Sequence, residues 1–155
     1  MENQFVEKSI ILWQKIGTHN IMSLSTCVDN HVSSRSMSII VYNGNFYCQT
    51  DETYPKFKQI VQNSNVALCY NNFSIEGECS VIGHPLDEDN NFFAERFKQY
   101  FNGSFEAYTA LPTEKLLEII PKLIYTWEYK HSKPYKEYYD FVNQLYRAEE
   151  ILSSK

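Results

Sequence analysis

The chain has 155 residues, 43% hydrophobic and 21% charged, enough to bury a core and too apolar for a disordered polymer. A formal net charge of -5 argues against a general nucleic-acid binder, and no apolar run is long enough to span a bilayer as a helix. Met1-Glu2-Asn3-Gln4 lacks the basic and apolar regions of a signal peptide, so a cytoplasmic protein without membrane contact is expected.

Residues 3–17 read as a helix, with Val6, Ile10, Trp13 and Ile16 at helical spacing and Gly17 as the stop. Residues 19–28 read as a strand, followed by a turn at Asp29-Asn30. Residues 32–42 read as the next strand. Arg35, Met37, Ile39 and Val41 share one of its faces, while Ser34, Ser36, Ser38 and Ile40 share the other. Asn43-Gly44 suits a tight hairpin because both residues tolerate positive φ, and residues 45–50 then return antiparallel.

Thr53 or Asp51 is expected to cap a helix over 54–63, with Pro55 in its first turn and Phe57, Ile60 and Val61 on its apolar face. Residues 65–71 and 74–83 read as a second strand pair. In the latter, Ser74, Glu76, Glu78 and Ser80 face one way, and Ile75, Gly77, Cys79 and Val81 the other. Asp87 starts a third helix with a stripe of Phe93, Phe97, Tyr100 and Phe101, and a loop containing Gly103 and Pro112 follows.

Residues 114–121 fit helix or strand by pattern alone, and Pro121 is expected to break either. Lys122 to Tyr129 is aromatic and β-branched enough for a strand. After Pro134 the pattern is ambiguous, with partial helical periodicity from Phe141 to Leu152. The whole is one domain over 1–155, with a core at about 15–130 and a tail at about 134–155. Six short antiparallel strands with peripheral helices make a mainly β barrel (α+β) the expected fold.

Few residues stand out as chemistry. Arg35, Thr50 and Lys56 form the strongest constellation: a strand arginine, a strand-end threonine and a lysine in a first helical turn suit one anion. The plainer alternative pairs Arg35 with an acid and leaves Lys56 in water. Glu76 and Glu78 read as a solvated outer face. His19, His31, His84 and His131 have no metal-ligand spacing, so no metal site is expected. Cys27, Cys48, Cys69 and Cys79 form no CxxC pair and read as buried free thiols. No GxSxG, GxGxxG, P-loop or HExxH pattern occurs, leaving hydrolase, Rossmann, NTPase and zincin readings without support. With 12 Tyr, 10 Phe and 2 Trp, the aromatic content suits a β-rich core, a subunit interface or a pocket for a flat ligand.

The order of these pieces resembles the pyridoxamine 5'-phosphate oxidase-like family of FMN-binding split barrels. The segments that carry the resemblance begin with Ile21-Met22-Ser23-Leu24-Ser25-Thr26 and Ser34-Arg35-Ser36-Met37. Phe46-Tyr47-Cys48-Gln49-Thr50-Asp51 and Lys56 through Gln59-Ile60 follow. Asn63-Ser64-Asn65-Val66-Ala67-Leu68-Cys69-Tyr70 and Ile75-Glu76-Gly77 complete them, covering roughly 15–84. The resemblance implies a six-stranded antiparallel split β-barrel and a homodimer with FMN at the subunit interface. On this resemblance Arg35 and Lys56 hold the FMN phosphate. Ser36, Met37 and Ser38 lie along the isoalloxazine, Gln49 and Thr50 flank the ribityl-phosphate end, and Trp127 approaches from the other subunit.

The sequence departs from the family pattern in three places. Tyr54 precedes the phosphate lysine where a small hydroxyl residue is usual, and Ser74 replaces a glutamine. Glu128-Tyr129-Lys130-His131-Ser132-Lys133 lacks the Arg-x-His motif that grips pyridoxine phosphate. The nearer resemblance is to small, general-stress-protein-like members. It implies a flavin-dependent oxidoreductase acting on a small redox substrate other than pyridoxine phosphate. The alternatives are a noncatalytic flavin-binding or storage protein and an apo dimeric stress-related protein. Deazaflavin or haem in the same fold is less attractive, given the acidic balance and the lack of a histidine-rich C-terminal loop. No side chain stands out as a catalytic acid or base.

Overall fold

The structure is a computed structural model and describes residues 4–152. Eight strands form one antiparallel sheet: β1 (His19–Val28), β2 (His31–Tyr42), β3 (Asn45–Asp51), β4 (Asn65–Tyr70), β5 (Phe73–Val81), β6 (Glu114–Lys130), β7 (Lys133–Asp140) and β8 (Leu145–Glu150). The order is β3-β2-β1-β4-β5-β6-β7-β8, and β3 also pairs with β6. That extra pairing closes the first six strands into a barrel and removes their open edges. Strands β7 and β8 continue outward from β6. Among the described residues no helix is long and apolar enough to cross a membrane.

Local chemistry explains the elements. Asn43 and Gly44 sit at φ of 51° and 78°, as a two-residue β2–β3 turn requires. Along β2, Met37 and Ile39 point into the barrel while Ile40 joins a separate cluster outside it. The barrel interior is packed by residues such as Met22, Leu24, Ile39, Phe46, Leu68, Ile75, Leu117 and Ile119. Helix α1 (Phe5–Ile16) covers this core with Phe5, Leu12 and Ile16, and helix α2 (Pro55–Gln62) covers it with Ile60. Helix α3 (Asn91–Tyr100) packs Phe93 and Phe97 against Ile40, Tyr47 and Leu116.

Several expectations need correction. The buried stripe of α1 is Phe5, Ser9, Leu12 and Ile16, whereas Val6 and Ile10 are exposed. The same helical period fits two adjacent faces, and contacts from Phe141 to Phe5 and Trp13 fix the rotation actually adopted. In α2, Ile60 is buried but Val61 is exposed. The N-cap of α2 is Tyr54 and makes no side-chain cap; Asp51 instead accepts hydrogen bonds from the Thr53 backbone N–H and hydroxyl. Val81 is exposed, as are Glu76 and Glu78. Cys48 and Cys79 are buried, Cys27 is half-buried and Cys69 is exposed; all four are free.

Pro121 does not interrupt β6. It lies where the β5–β6 register shifts: Glu76 faces Leu123 and Gly77 faces Pro121, leaving Lys122 as the extra residue of a bulge. Gly77 permits this close approach, since a Cβ there would stand 2.6 Å from the Ile120 carbonyl oxygen. The segment expected as a loop around Gly103 contains a short helical turn and a π-turn over Phe105–Thr109. The helical periodicity of Phe141 to Leu152 gives way to β8, because Tyr146 packs on Tyr139 across the β7–β8 pair.

Candidate functional site

A cavity of about 320 Å³ opens at one end of the barrel. That is within the usual size of small-molecule sites, about 300–1,000 Å³. Strands β2 and β3 supply Ser36, Met37, Ser38, Gln49, Thr50 and Asp51. Tyr54 and Lys56 come from the start of α2, and Glu114 from the start of β6. Phe97, Ser104 and Tyr108 cover the cavity from the helical segment between β5 and β6. The antiparallel closure of β3 onto β6 sets Asp51 directly opposite Glu114, so the two carboxylates share one face.

Six residues singled out in the sequence therefore meet at one cavity: Ser36, Met37, Ser38, Gln49, Thr50 and Lys56. Arg35 stands behind them. Its guanidinium donates to the Leu24 carbonyl at 3.2 Å, the Thr26 hydroxyl at 2.9 Å and the Gln59 amide oxygen at 3.3 Å. These partners are neutral oxygens, so Arg35 is not paired with an acid as the plainer alternative expects. Trp127 lies at the far end of β6, 40% exposed, and does not line the cavity.

The cavity's polar groups are poorly served by the protein itself. Thr50 Oγ1 is buried without a hydrogen-bond partner, a state that costs about 1–3 kcal/mol unless a ligand or solvent relieves it. Lys56 Nζ touches the Met37 sulfur at 3.4 Å and lies 5.7 Å from the centre of the Tyr54 ring. Among the described residues no carboxylate lies within 4.0 Å of it. Burial lowers its ammonium below the usual lysine range, and the Arg35 charge adds to this. The uncapped first turn of α2 adds the positive end of a helix dipole.

Gln49 is oriented by the Thr109 hydroxyl, which donates to its amide oxygen at 3.0 Å. Asp51 is a stable anion: bonds from Thr113 and then Thr53 hold it below the usual carboxylate range. Glu114 is the opposite case. Burial, reinforced by the Asp51 charge, pushes its carboxyl up to about 7, against weaker pulls from Lys56 and His84.

Sequence reasoning missed Asp51, Phe97, Ser104, Tyr108 and Glu114 as parts of one site. Only the folding of the 91–110 segment over the barrel end brings most of them there. Glu114 left no signal in the sequence: it is in phase with buried Leu116, but Leu117 and Ile119 of the opposite phase are buried as well, so alternation does not tell which way it points. Among the described residues no group of three or more His, Cys, Asp or Glu is arranged to hold a metal ion.

Residues 13–128 match the family model described as pyridoxamine 5'-phosphate oxidase. General Stress Protein 26 from Bacillus anthracis is similar in structure, with a TM-score of 0.60 and 22% identity over 79% of this chain and 92% of that one. A pyridoxamine 5'-phosphate oxidase-related, FMN-binding protein from Nostoc punctiforme superposes with a TM-score of 0.58 and 17% identity, over 86% of this chain and 87% of that one. HutZ, the haem storage protein of Vibrio cholerae, gives 0.58 and 10% over 78% of this chain and 91% of that one. No curated protein matches. At these identities the structural likeness speaks to the fold.

Proposed function

This chain belongs to the pyridoxamine 5'-phosphate oxidase family, and on that footing we propose that it binds FMN in the barrel-end cavity as a flavin-dependent oxidoreductase. The observation that carries this reading is the unpaired Lys56 beside the orphaned Thr50 hydroxyl. Together they offer a charge and a donor to one anionic group, and the phosphate of FMN is such a group. The donor set suits the remainder. Ser36, Met37 and Ser38 would run along the flavin ring, and Gln49, already oriented by Thr109, would face the ribityl chain. Arg35 would act through its charge from behind the lysine, since its hydrogen bonds go to Thr26, Gln59 and Leu24.

When bound, FMN would supply the electron transfer. This chain's residues would fix it in place, and Phe97, Ser104 and Tyr108 would keep water from one side of it. We assign Trp127 to a second copy's site. It is exposed at the end of β6 beside exposed Tyr129, and Ile21 and Val32 are also exposed on the barrel wall. The substrate we propose is a small redox compound other than pyridoxine phosphate, because the Arg-x-His clamp is missing after Trp127.

The test is a flavin titration of wild type and Lys56→Ala, with sedimentation on the same samples. A charge-assisted bond is worth about 1.5–3 kcal/mol, so FMN affinity should fall roughly 10- to 150-fold in the variant while riboflavin affinity barely changes. Equal losses for the two flavins would remove Lys56 from the phosphate site, and a monomer with FMN bound would exclude a shared interface site. Oxidation of a reduced nicotinamide by the loaded protein separates an oxidoreductase from a flavin store.

A further inference from the structure

The proposed cradle contains a group that opposes its own ligand. Glu114 is 4% exposed and lines the cavity with Lys56 and Thr50, yet among the described residues no donor hydrogen-bonds its carboxyl. Asp51 faces it from β3, its two oxygens taken by Thr53 and Thr113. Lys56 faces it from α2, with Arg35 behind, and Tyr54 and Tyr108 complete the rim. His84, from the turn after β5, is engaged at both ring nitrogens, by the Leu86 N–H and the Leu111 carbonyl. It is therefore not free to pair with Glu114. With both carboxylates ionised, the lining carries two negative charges against the single charge of Lys56.

We infer that Glu114 determines which flavin the cavity retains: protonated, it lets the phosphorylated form bind, and ionised, it repels that phosphate and erases the preference over riboflavin. This rests on the FMN reading of the cavity. The chemistry is direct. A neutral carboxyl in an undonated pocket offers a proton to a phosphate oxygen, whereas a carboxylate there has nothing to offer an anion. Asp51 cannot perform this switch, since its hydrogen bonds keep it charged throughout. Glu114 has no such bonds, and its carboxyl lies near neutrality, where the choice is made.

The experiment measures FMN and riboflavin affinity at pH 5.5 and pH 8.5 by quenching of flavin fluorescence, for wild type and Glu114→Gln. The FMN-over-riboflavin preference of wild type should fall about tenfold or more at the higher pH, and that of Glu114→Gln should stay high. The phosphate of FMN itself titrates near pH ~6, so riboflavin 5'-sulfate, singly charged throughout, serves as the control ligand. Its preference over riboflavin should also fall with pH in wild type and stay level in the variant. Flavin binding with a sulfate preference that ignores pH, or that moves equally in both proteins, would overturn the inference while leaving the cofactor reading intact. Failure of wild type to bind any flavin would instead overturn the cofactor reading. Should Glu114→Gln not fold, Glu114→Ala takes its place, and its sulfate preference should likewise stay level with pH.

Discussion

Among the described residues two carboxylates are buried, Glu114 at the barrel end and Glu137 in the β6–β7–β8 extension, at 4% and 3% exposure. Their surroundings are opposites. Glu137 is supplied with donors: the Tyr146 hydroxyl bonds it closely, the Tyr139 and Thr126 hydroxyls stand at 3.4 and 3.5 Å, and Lys130 lies 3.7 Å away. Burial alone would raise its carboxyl, but the Tyr146 bond and the charges of Lys130, Lys15 and Lys8 outweigh it, and the net direction is down. Glu114 has no donors and is raised. A buried charge that the fold itself satisfies is part of the scaffold, whereas one left bare marks a place where a solute completes the chemistry.

The comparison breaks most visibly under truncation. Glu137→Ala strips the acceptor from buried Tyr139 and Thr126 hydroxyls. Each orphaned group costs about 1–3 kcal/mol, so a loss of about 2–6 kcal/mol in urea unfolding is expected. Glu114→Ala removes a charge that no protein donor hydrogen-bonds and that Lys56 and His84 favour only weakly, and at pH 8 should leave stability unchanged or raised. Equal large losses in both variants would mean that Glu114 is also a scaffold residue.

Acidity separates the pair next. The Glu114 carboxyl at about 7 is above its unfolded value of about 4.3, so the folded state binds the extra proton. Its contribution is fully present below pH ~4.3 and is lost as pH rises through about 7. Glu137 has the reverse sign: its stabilisation is present above the unfolded value and disappears as pH falls through its lowered folded value. Between pH 5 and pH 8, wild type should lose about 2–3 kcal/mol relative to Glu114→Gln. Urea midpoints across that range check it, and parallel curves for the two proteins would show that Glu114 does not titrate there.

The two sites were unequally legible in the sequence. The barrel announced itself through alternation in β2 and β5 and through Asn43-Gly44. Lys56, Thr50 and the Ser36-Met37-Ser38 run were readable because a short hairpin and a capped-looking helix fix them relative to one another. Glu114 was not, since its neighbour Asp51 is distant in the chain and meets it only when β3 closes on β6. The extension was hidden for another reason. Lys133-Pro134-Tyr135-Lys136-Glu137 places a charged residue at a core position, so the period-2 signal vanishes where the fold replaces an apolar side chain with a hydrogen-bonded carboxylate. Likewise Pro121 reads as a breaker, and the register shift beside it, where Lys122 is the extra residue, admits it opposite Gly77.

The smallest effect sharpens what satisfies Glu137. Breaking a buried ion pair typically costs 3–5 kcal/mol, because an unsolvated charge is left behind. Lys130 is a poor candidate for that role. Its side chain is 42% exposed, its ammonium stands 3.7 Å from the carboxylate, and it also lies 5.8 Å from the centre of the Tyr135 ring. Water shares in its charge, so the pair behaves as a surface bridge worth about 0–1 kcal/mol. The hydroxyls of Tyr146, Tyr139 and Thr126 remain on the carboxylate when the lysine is gone. Lys130→Met should therefore cost about 0.5 kcal/mol at low salt, and less at high salt as screening removes the charge term. Urea unfolding at two ionic strengths measures it. A loss above about 3 kcal/mol would transfer the stabilisation of Glu137 from its hydroxyl donors to the lysine, and with it the reason this carboxylate differs from Glu114.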